Sequence, residues 1–259
     1  MPHVNVNGID LYYKTEGSGP AVILVTGFGG DVGFWKRASE MLSQKYKVIM
    51  IDNRGAGKTS YSGEFTLDDI SRDIICLMNE LKIEKANILG WSMGSHIAYK
   101  AVLTAPERFD ALVLVSSFVY RPARSNYILS SALSMAERGM PLEQLAKTMN
   151  CLSYTEEFFE RMELEKKKIR LPELKDPAGL RRQLNAVEIS RLDGPGCRIR
   201  TPALLIHGDM DIMVGSSEGL ELAEIIPGCE TLIIKDAGHI IPADAYMPAV
   251  MEFIERHQG

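Results

Sequence analysis

Cysteine is scarce in this chain and never paired in sequence. The four present, Cys76, Cys151, Cys197 and Cys229, lie far apart and form no CxxC spacing. Neither a structural zinc site nor a redox dithiol is therefore expected, and reduced thiols in a cytoplasmic protein are. An excess of basic charge is also missing. Lys and Arg total 29 against 34 Asp and Glu, a formal net charge of −5. Neutralising phosphates takes clustered Lys and Arg, so no nucleic-acid partner is expected. Long apolar runs are wanting too. The longest, such as Ala111 to Val119, is too short to span a bilayer, so no membrane partner is expected. The opening residues, MPHVNVNGID, show no basic segment followed by an apolar one, so no signal peptide is expected. Internal repeats and low-complexity stretches do not occur.

What is present is a composition able to form a sizeable core, with 46% hydrophobic and 24% charged residues. A length of 259 residues suits a single α/β unit. Alternating apolar residues flank Asn7-Gly8, the pattern of a hairpin. Short continuous apolar runs follow at Ala21–Val25, Lys47–Asp52, Ala86 onward, Ala111–Val115, Ala203–Gly208 and Thr231–Asp236. Such runs read as strands buried on both faces. Helical patterns lie between most of them. The clearest is Leu67–Leu81, with Ile70, Ile74, Leu77, Met78 and Leu81 on one stripe and Thr66 placed to cap it. Others cover Ser95–Leu103, Ser217–Ile226 and Tyr246–Arg256. Strands alternating with helices predict crossovers and a mostly parallel central sheet with helices on both faces. From about Arg121 to Arg191 the alternation stops. That Met-rich segment reads as a helical insertion, and its charged run Glu160–Arg170 as a solvated helix face with Glu163 and Lys167 paired at i,i+4. The expected division is a core of residues 1–120 and 192–259 with a cap of residues 121–191.

The sequence GWSMG, Gly90 to Gly94, fits G-x-S-x-G between a predicted strand and a predicted helix. A strand that reverses into a helix within two residues strains the residue at the corner. Small neighbours leave room for that strain, and the serine hydroxyl then stands clear of the backbone at a helix N-terminus. Ser92 is thus the candidate nucleophile, and a serine nucleophile needs a base and an orienting acid. Of five histidines, His3 and His257 lie near the ends. His96 points along the helix that follows Ser92, and His207 ends a buried strand. His239, in the loop after the last predicted strand, is the candidate base. In HGDMDIMV, Asp211 is the candidate acid, and Asp209 reads as a turn residue. The backbone N–H groups of Phe28 and Met93 are the candidate oxyanion donors. Gly27, Trp91, Met213 and Ile240 are expected to line the substrate pocket. Met93, Met210 and Met213 would make its wall adaptable. Arg121, Arg124, Arg181 and Arg182 are the candidates for meeting a substrate carboxylate if the cap turns them inward.

Taken together these motifs resemble the α/β-hydrolase superfamily over nearly the full chain. They are TGFGG for the oxyanion loop, Asp52 to Ser60 for a D-x-R-G-x-G-x-S turn, GWSMG, GDMD with a later Val, and GH. The likeness is to its esterase, enol-lactone hydrolase and cofactor-free haloperoxidase-like group. It implies the α/β-hydrolase fold, the chain order Ser92, Asp211, His239, and no metal or cofactor. Two departures are Thr26, where many relatives carry His, and Thr59, at the serine of the turn. Gly55 to Ser60 also imitates a phosphate loop, but Asp52 stands where that motif needs its first Gly, so nucleotide binding is not expected. The expected function is a serine hydrolase cleaving a small to medium carboxylic ester or lactone through an acyl-enzyme. Two alternatives stay open: a hydrolase of carbon–carbon bonds in diketones, and a receptor-like binding protein on the same scaffold. The oligomeric state, with a homodimer among the options, is not fixed by the sequence.

Overall fold

In the computed structural model, which describes residues 2–172, 174, 176–192 and 198–258, the chain opens on a hairpin. Strands β1 (His3–Val6) and β2 (Ile9–Glu16) pair antiparallel. Between them Asn7 and Gly8 take φ of 47° and 78°, the two left-handed positions a tight hairpin turn requires. The later strands are β3 (Ala21–Val25), β4 (Lys47–Ile51), β5 (Ala86–Trp91), β6 (Phe109–Val115), β7 (Ala203–Gly208) and β8 (Glu230–Ile234). All eight form one sheet in the order β1-β2-β4-β3-β5-β6-β7-β8. The first two strands run antiparallel, and every pairing from β4 across to β8 is parallel.

From β3 to β7 both faces of the sheet are covered, which is why those strands are apolar almost throughout rather than alternating. Ile23, Val25, Ile49, Ile51, Ile88 and Leu112 point to one side. There they meet α2 (Leu67–Glu80), α3 (Met93–Thr104) and α8 (Ser216–Ile225). Val22, Leu24, Val48, Met50, Leu89 and Val113 point to the other, against α1 (Lys36–Leu42) and α9 (Ala243–His257). Thr66 caps α2 in a full capping box: its hydroxyl accepts from Asp69 N–H, and the Asp69 carboxylate accepts from Thr66 N–H.

Between β6 and β7 the described residues form four helices, α4 (Ala123–Glu137), α5 (Leu142–Ser153), α6 (Glu156–Leu164) and α7 (Pro177–Glu188). Leu129, Leu133, Leu145, Leu180, Leu184 and Val187 dock α4, α5 and α7 onto Phe118 and the α3 side of the core. The predicted Glu163–Lys167 pair does not form. Helix α6 ends at Leu164, because Lys166 takes φ of 51° and turns the chain out of the helix. Lys167 pairs instead with Glu165 at 2.6 Å. Cys76, Cys151 and Cys229 are free thiols, and Cys197 lies outside the described residues.

The turn after β4 shows why the phosphate-loop likeness is a coincidence. The Asp52 carboxylate accepts N–H groups from Val32 (2.7 Å) and Lys58 (2.8 Å). Backbone donors that could cradle an anion already hold one from the protein itself. Thr59 retains the role of the usual serine, donating to Asp52 O (2.6 Å) and accepting from Tyr12 N–H (3.0 Å). Arg54 is clamped on buried Asp73 at 2.6 and 2.7 Å, and donates to Asn7 O.

Candidate active site

The corner between β5 and α3 holds Ser92 at φ 55°, ψ −121°, a conformation costing on the order of 1–3 kcal/mol for a residue with a side chain. The surroundings keep it there. Its N–H donates to Val115 O at 2.9 Å, tying the corner to β6. A Cβ on Gly90 would collide with the Gly94 carbonyl, and one on Gly94 with the carbonyls of Val25 and Thr26. The two glycines thus serve close backbone approach, and the strain is carried by the serine alone.

Two loops bring partners to that hydroxyl. His239 Nε2 lies 3.0 Å from Ser92 Oγ, and His239 Nδ1 lies 2.7 Å from Asp211 Oδ2. With Nδ1–H donating to the carboxylate, Nε2 is the nitrogen free to accept the serine proton. Asp211 Oδ1 accepts N–H groups from Met213 (2.8 Å) and Val214 (2.9 Å), which fixes the carboxylate plane. Burial works against its ionisation. The charge of His239, hydrogen bonds from His207 and His239 and the Val214 N–H outweigh that and hold the carboxyl below its usual range. Asp209 is exposed, with its N–H on Ile234 O, as a turn residue would be.

The His239 loop is pinned on three sides. Its carbonyl accepts from Trp91 Nε1–H (2.9 Å) and from the Ser116 hydroxyl (2.8 Å). The next residue, Ile240, donates its N–H to Ser153 O at the end of α5 (2.9 Å). His239 and Ser92 are therefore held through both the sheet and the inserted helices.

These groups open on a cavity of about 770 Å³ between the sheet edge and the inserted helices. Phe28, Trp91, Met93, Met213 and Ile240 line it beside Ser92 and His239. Gly27 does not. It packs against Trp91 and Ser92, where a Cβ would press on the Trp91 ring at 2.8 Å and on Ser92 Cβ at 3.1 Å. Met210 also departs from expectation, being 54% exposed on the outside of the loop, whereas Met149 of α5 lines the cavity. Of the four candidate arginines only Arg121 turns inward. Arg181 pairs with Glu137, Arg182 lies over the Tyr61 ring, and Arg124 faces solvent.

Two further residues at the site were not picked out by sequence reasoning. Gln183 of α7, fully buried, accepts from Gly29 N–H (2.9 Å) and donates to Arg54 O (2.7 Å). It ties the loop of Phe28 to the inserted helices and to the turn after β4. A signal existed: Gln183 falls on the α7 stripe of Leu180, Leu184 and Val187, where a polar residue needs buried partners. His207, at the end of its buried strand, touches the Asp211 carboxylate as well. Its Nε2 lies 2.9 Å from Val214 O and 3.2 Å from Asp211 Oδ2, while Nδ1 has no partner. His96 is a buried packing residue between Phe118 O (2.7 Å) and Ser190 Oγ (3.1 Å). Thr26 keeps its loop closed through its hydroxyl on Gly30 O (3.3 Å) and its carbonyl on Asn53 Nδ2–H (2.8 Å).

Among known proteins, a family model described as alpha/beta hydrolase fold matches residues 20–246. A pimeloyl-[acyl-carrier protein] methyl ester esterase of Aliivibrio fischeri is 26% identical over 95% of this chain and 98% of its own length. A candidate carbamate hydrolase of Azorhizobium caulinodans is 30% identical, over 53% of this chain and only 51% of its own length. Among solved structures, the enol-lactonase of Burkholderia xenovorans superposes with a TM-score of 0.86 at 25% identity, covering 98% of this chain and all of that one. Since the family match takes in the sheet from β3 onward, the inserted helices and every loop that reaches Ser92, the chain belongs to the alpha/beta hydrolase fold family.

Proposed function

We propose that the protein hydrolyses carboxylic esters or lactones of small to medium size, with Ser92 as nucleophile, His239 as base and Asp211 as its orienting acid. The observation that carries this reading is the unbroken hydrogen-bond relay from Ser92 Oγ through the imidazole to Asp211, at 3.0 and 2.7 Å. As Ser92 Oγ attacks the ester carbonyl, its proton passes to His239 Nε2. Asp211 holds the tautomer and balances the imidazolium. The backbone N–H groups of Phe28 and Met93 receive the oxyanion. Met93 is the first residue of α3, so its N–H lies at the positive end of the helix. The tetrahedral intermediate collapses, the carbon–oxygen bond breaks, and the leaving alkoxide takes the proton from His239. Water then gives a proton to His239 and attacks the acyl-serine, releasing the acid and restoring Ser92.

An esterase of similar length and an enol-lactonase of similar shape agree with the substrate class. The test is a panel of p-nitrophenyl esters and lactones with the wild type and Ser92→Ala. Wild-type turnover of the shorter esters is expected. Loss of about four orders of magnitude or more in kcat is expected for the variant, with an unchanged circular dichroism spectrum. A variant that keeps wild-type rates contradicts the assignment. Turnover confined to a vinylogous diketone would select the carbon–carbon reading instead.

A further inference from the structure

Arg121 stands in the segment between β6 and α4, and only 7% of it is exposed. It lines the cavity that holds Ser92 and His239, with apolar neighbours Phe118, Leu129 and Met149 on the same wall. Its Nε–H donates to the Asn126 side chain, but Nη1 is buried with no hydrogen-bond partner. Asn126 is neutral, so the charge is uncompensated at contact distance. The charge of Glu188, on α7, favours the cation only from a distance, and burial draws the guanidinium down to about 10, leaving it charged at neutral pH. A buried guanidinium without a carboxylate is costly, and a bidentate carboxylate is the partner its planar fork fits best.

The rim of the cavity agrees. The chain as a whole is acidic, at −5. Yet Lys36, Arg37, Lys167, Lys168 and Arg170 line the cavity together with the carboxylate of Glu40. Asp244, Glu165 and Asp31 pair three of these cations. Lys36 and Lys168 have no ion pair among the described residues. Those two lysines leave the rim with an excess of positive charge, which favours the approach of an anionic ligand.

We propose that Arg121 anchors a carboxylate of the substrate, so that the cavity selects esters or lactones that carry a free carboxylate away from the scissile bond. The substrate class rests on the hydrolase reading above; the anion site itself does not. The test compares p-nitrophenyl hemiesters of succinate, glutarate and adipate with neutral p-nitrophenyl esters of matched length. Wild-type enzyme is expected to favour at least one hemiester by tenfold or more in kcat/KM. Arg121→Gln should cut that ratio at least tenfold, and Arg121→Lys should keep part of it. A wild type that prefers the neutral esters, or an Arg121→Gln enzyme that keeps the ratio, overturns the proposal.

Calorimetric titration with glutarate separates the two readings, because it needs no turnover. Glutarate binding by the wild type and by Ser92→Ala, lost in Arg121→Gln, supports the anion site even if no ester is cleaved. Equal binding to wild type and Arg121→Gln, or none to the wild type, overturns it.

Discussion

Asp211 illustrates how much a single side chain is asked to do. One oxygen is held by the N–H groups of Met213 and Val214, and the other faces both His239 and His207. Its ionised form is held by these contacts against the cost of burial. In the proposed mechanism the essential contribution is the tautomer it imposes on His239. Asp211→Asn should therefore reduce kcat on a p-nitrophenyl ester by roughly 10⁴-fold. A loss under tenfold would show that the imidazole needs no carboxylate here. The sequence singled out Ser92, His239 and Asp211 because each sits at a motif or just past a strand end, where chain order constrains position. Gly27, expected on the pocket wall, is not among the residues that line the cavity, for a reason the chain does not encode. Its neighbour Phe28 reaches the cavity, while Gly27 packs so closely on the Trp91 ring and Ser92 that no side chain would fit there.

At the scale of elements, the inserted helices are joined to the loop of Phe28 by polar as well as apolar contacts. Gln183 bridges Gly29 N–H and Arg54 O from α7. Gln183→Leu would fill similar space while leaving a buried donor and a buried acceptor unpaired. The expected cost is about 2–6 kcal/mol of stability, since each of the two unsatisfied buried groups costs roughly 1–3 kcal/mol. The loop carrying Phe28 would lose an anchor, so kcat should fall with little change in KM. Urea unfolding together with ester kinetics checks both. Unchanged stability would mean that Gly29 and Arg54 find other partners. Element boundaries were less legible than element types. Helix α3 begins at Met93, two residues before the predicted Ser95, because the elbow enters the helix at once. Helix α9 begins at Ala243, three before the predicted Tyr246, on the fixed geometry of Pro242. The end of α6 at Leu164 depended on a left-handed lysine, which nothing in a run of Glu and Lys announces.

For the whole molecule, the parallel sheet was legible because strands covered on both faces must be apolar at every position, and helices must lie between them. What stayed hidden was how the inserted segment meets the core, since that depends on three-dimensional packing. His96 stands at that junction, between Phe118 O and Ser190 Oγ. Burial lowers its pKa to about 3, against an ordinary 6.5, although the hydrogen bond to Phe118 O opposes the shift. Between those values the unfolded chain binds a proton at His96 and the folded chain does not. Stability therefore falls as pH drops from about 6.5 toward 3, by up to about 1.4 kcal/mol per pH unit from this group. His96→Asn cannot titrate, so its unfolding free energy should decline less steeply between pH 6.5 and 4.5. Parallel urea titrations measure this. Equal slopes would show that His96 is protonated in the fold.

The most direct measurement is labelling with a fluorophosphonate, followed by intact mass and peptide mapping. One adduct per chain, on Ser92 and missing from Ser92→Ala, is the expected result. An adduct on another residue, or none from an enzyme that still turns over esters, would contradict Ser92 as the nucleophile.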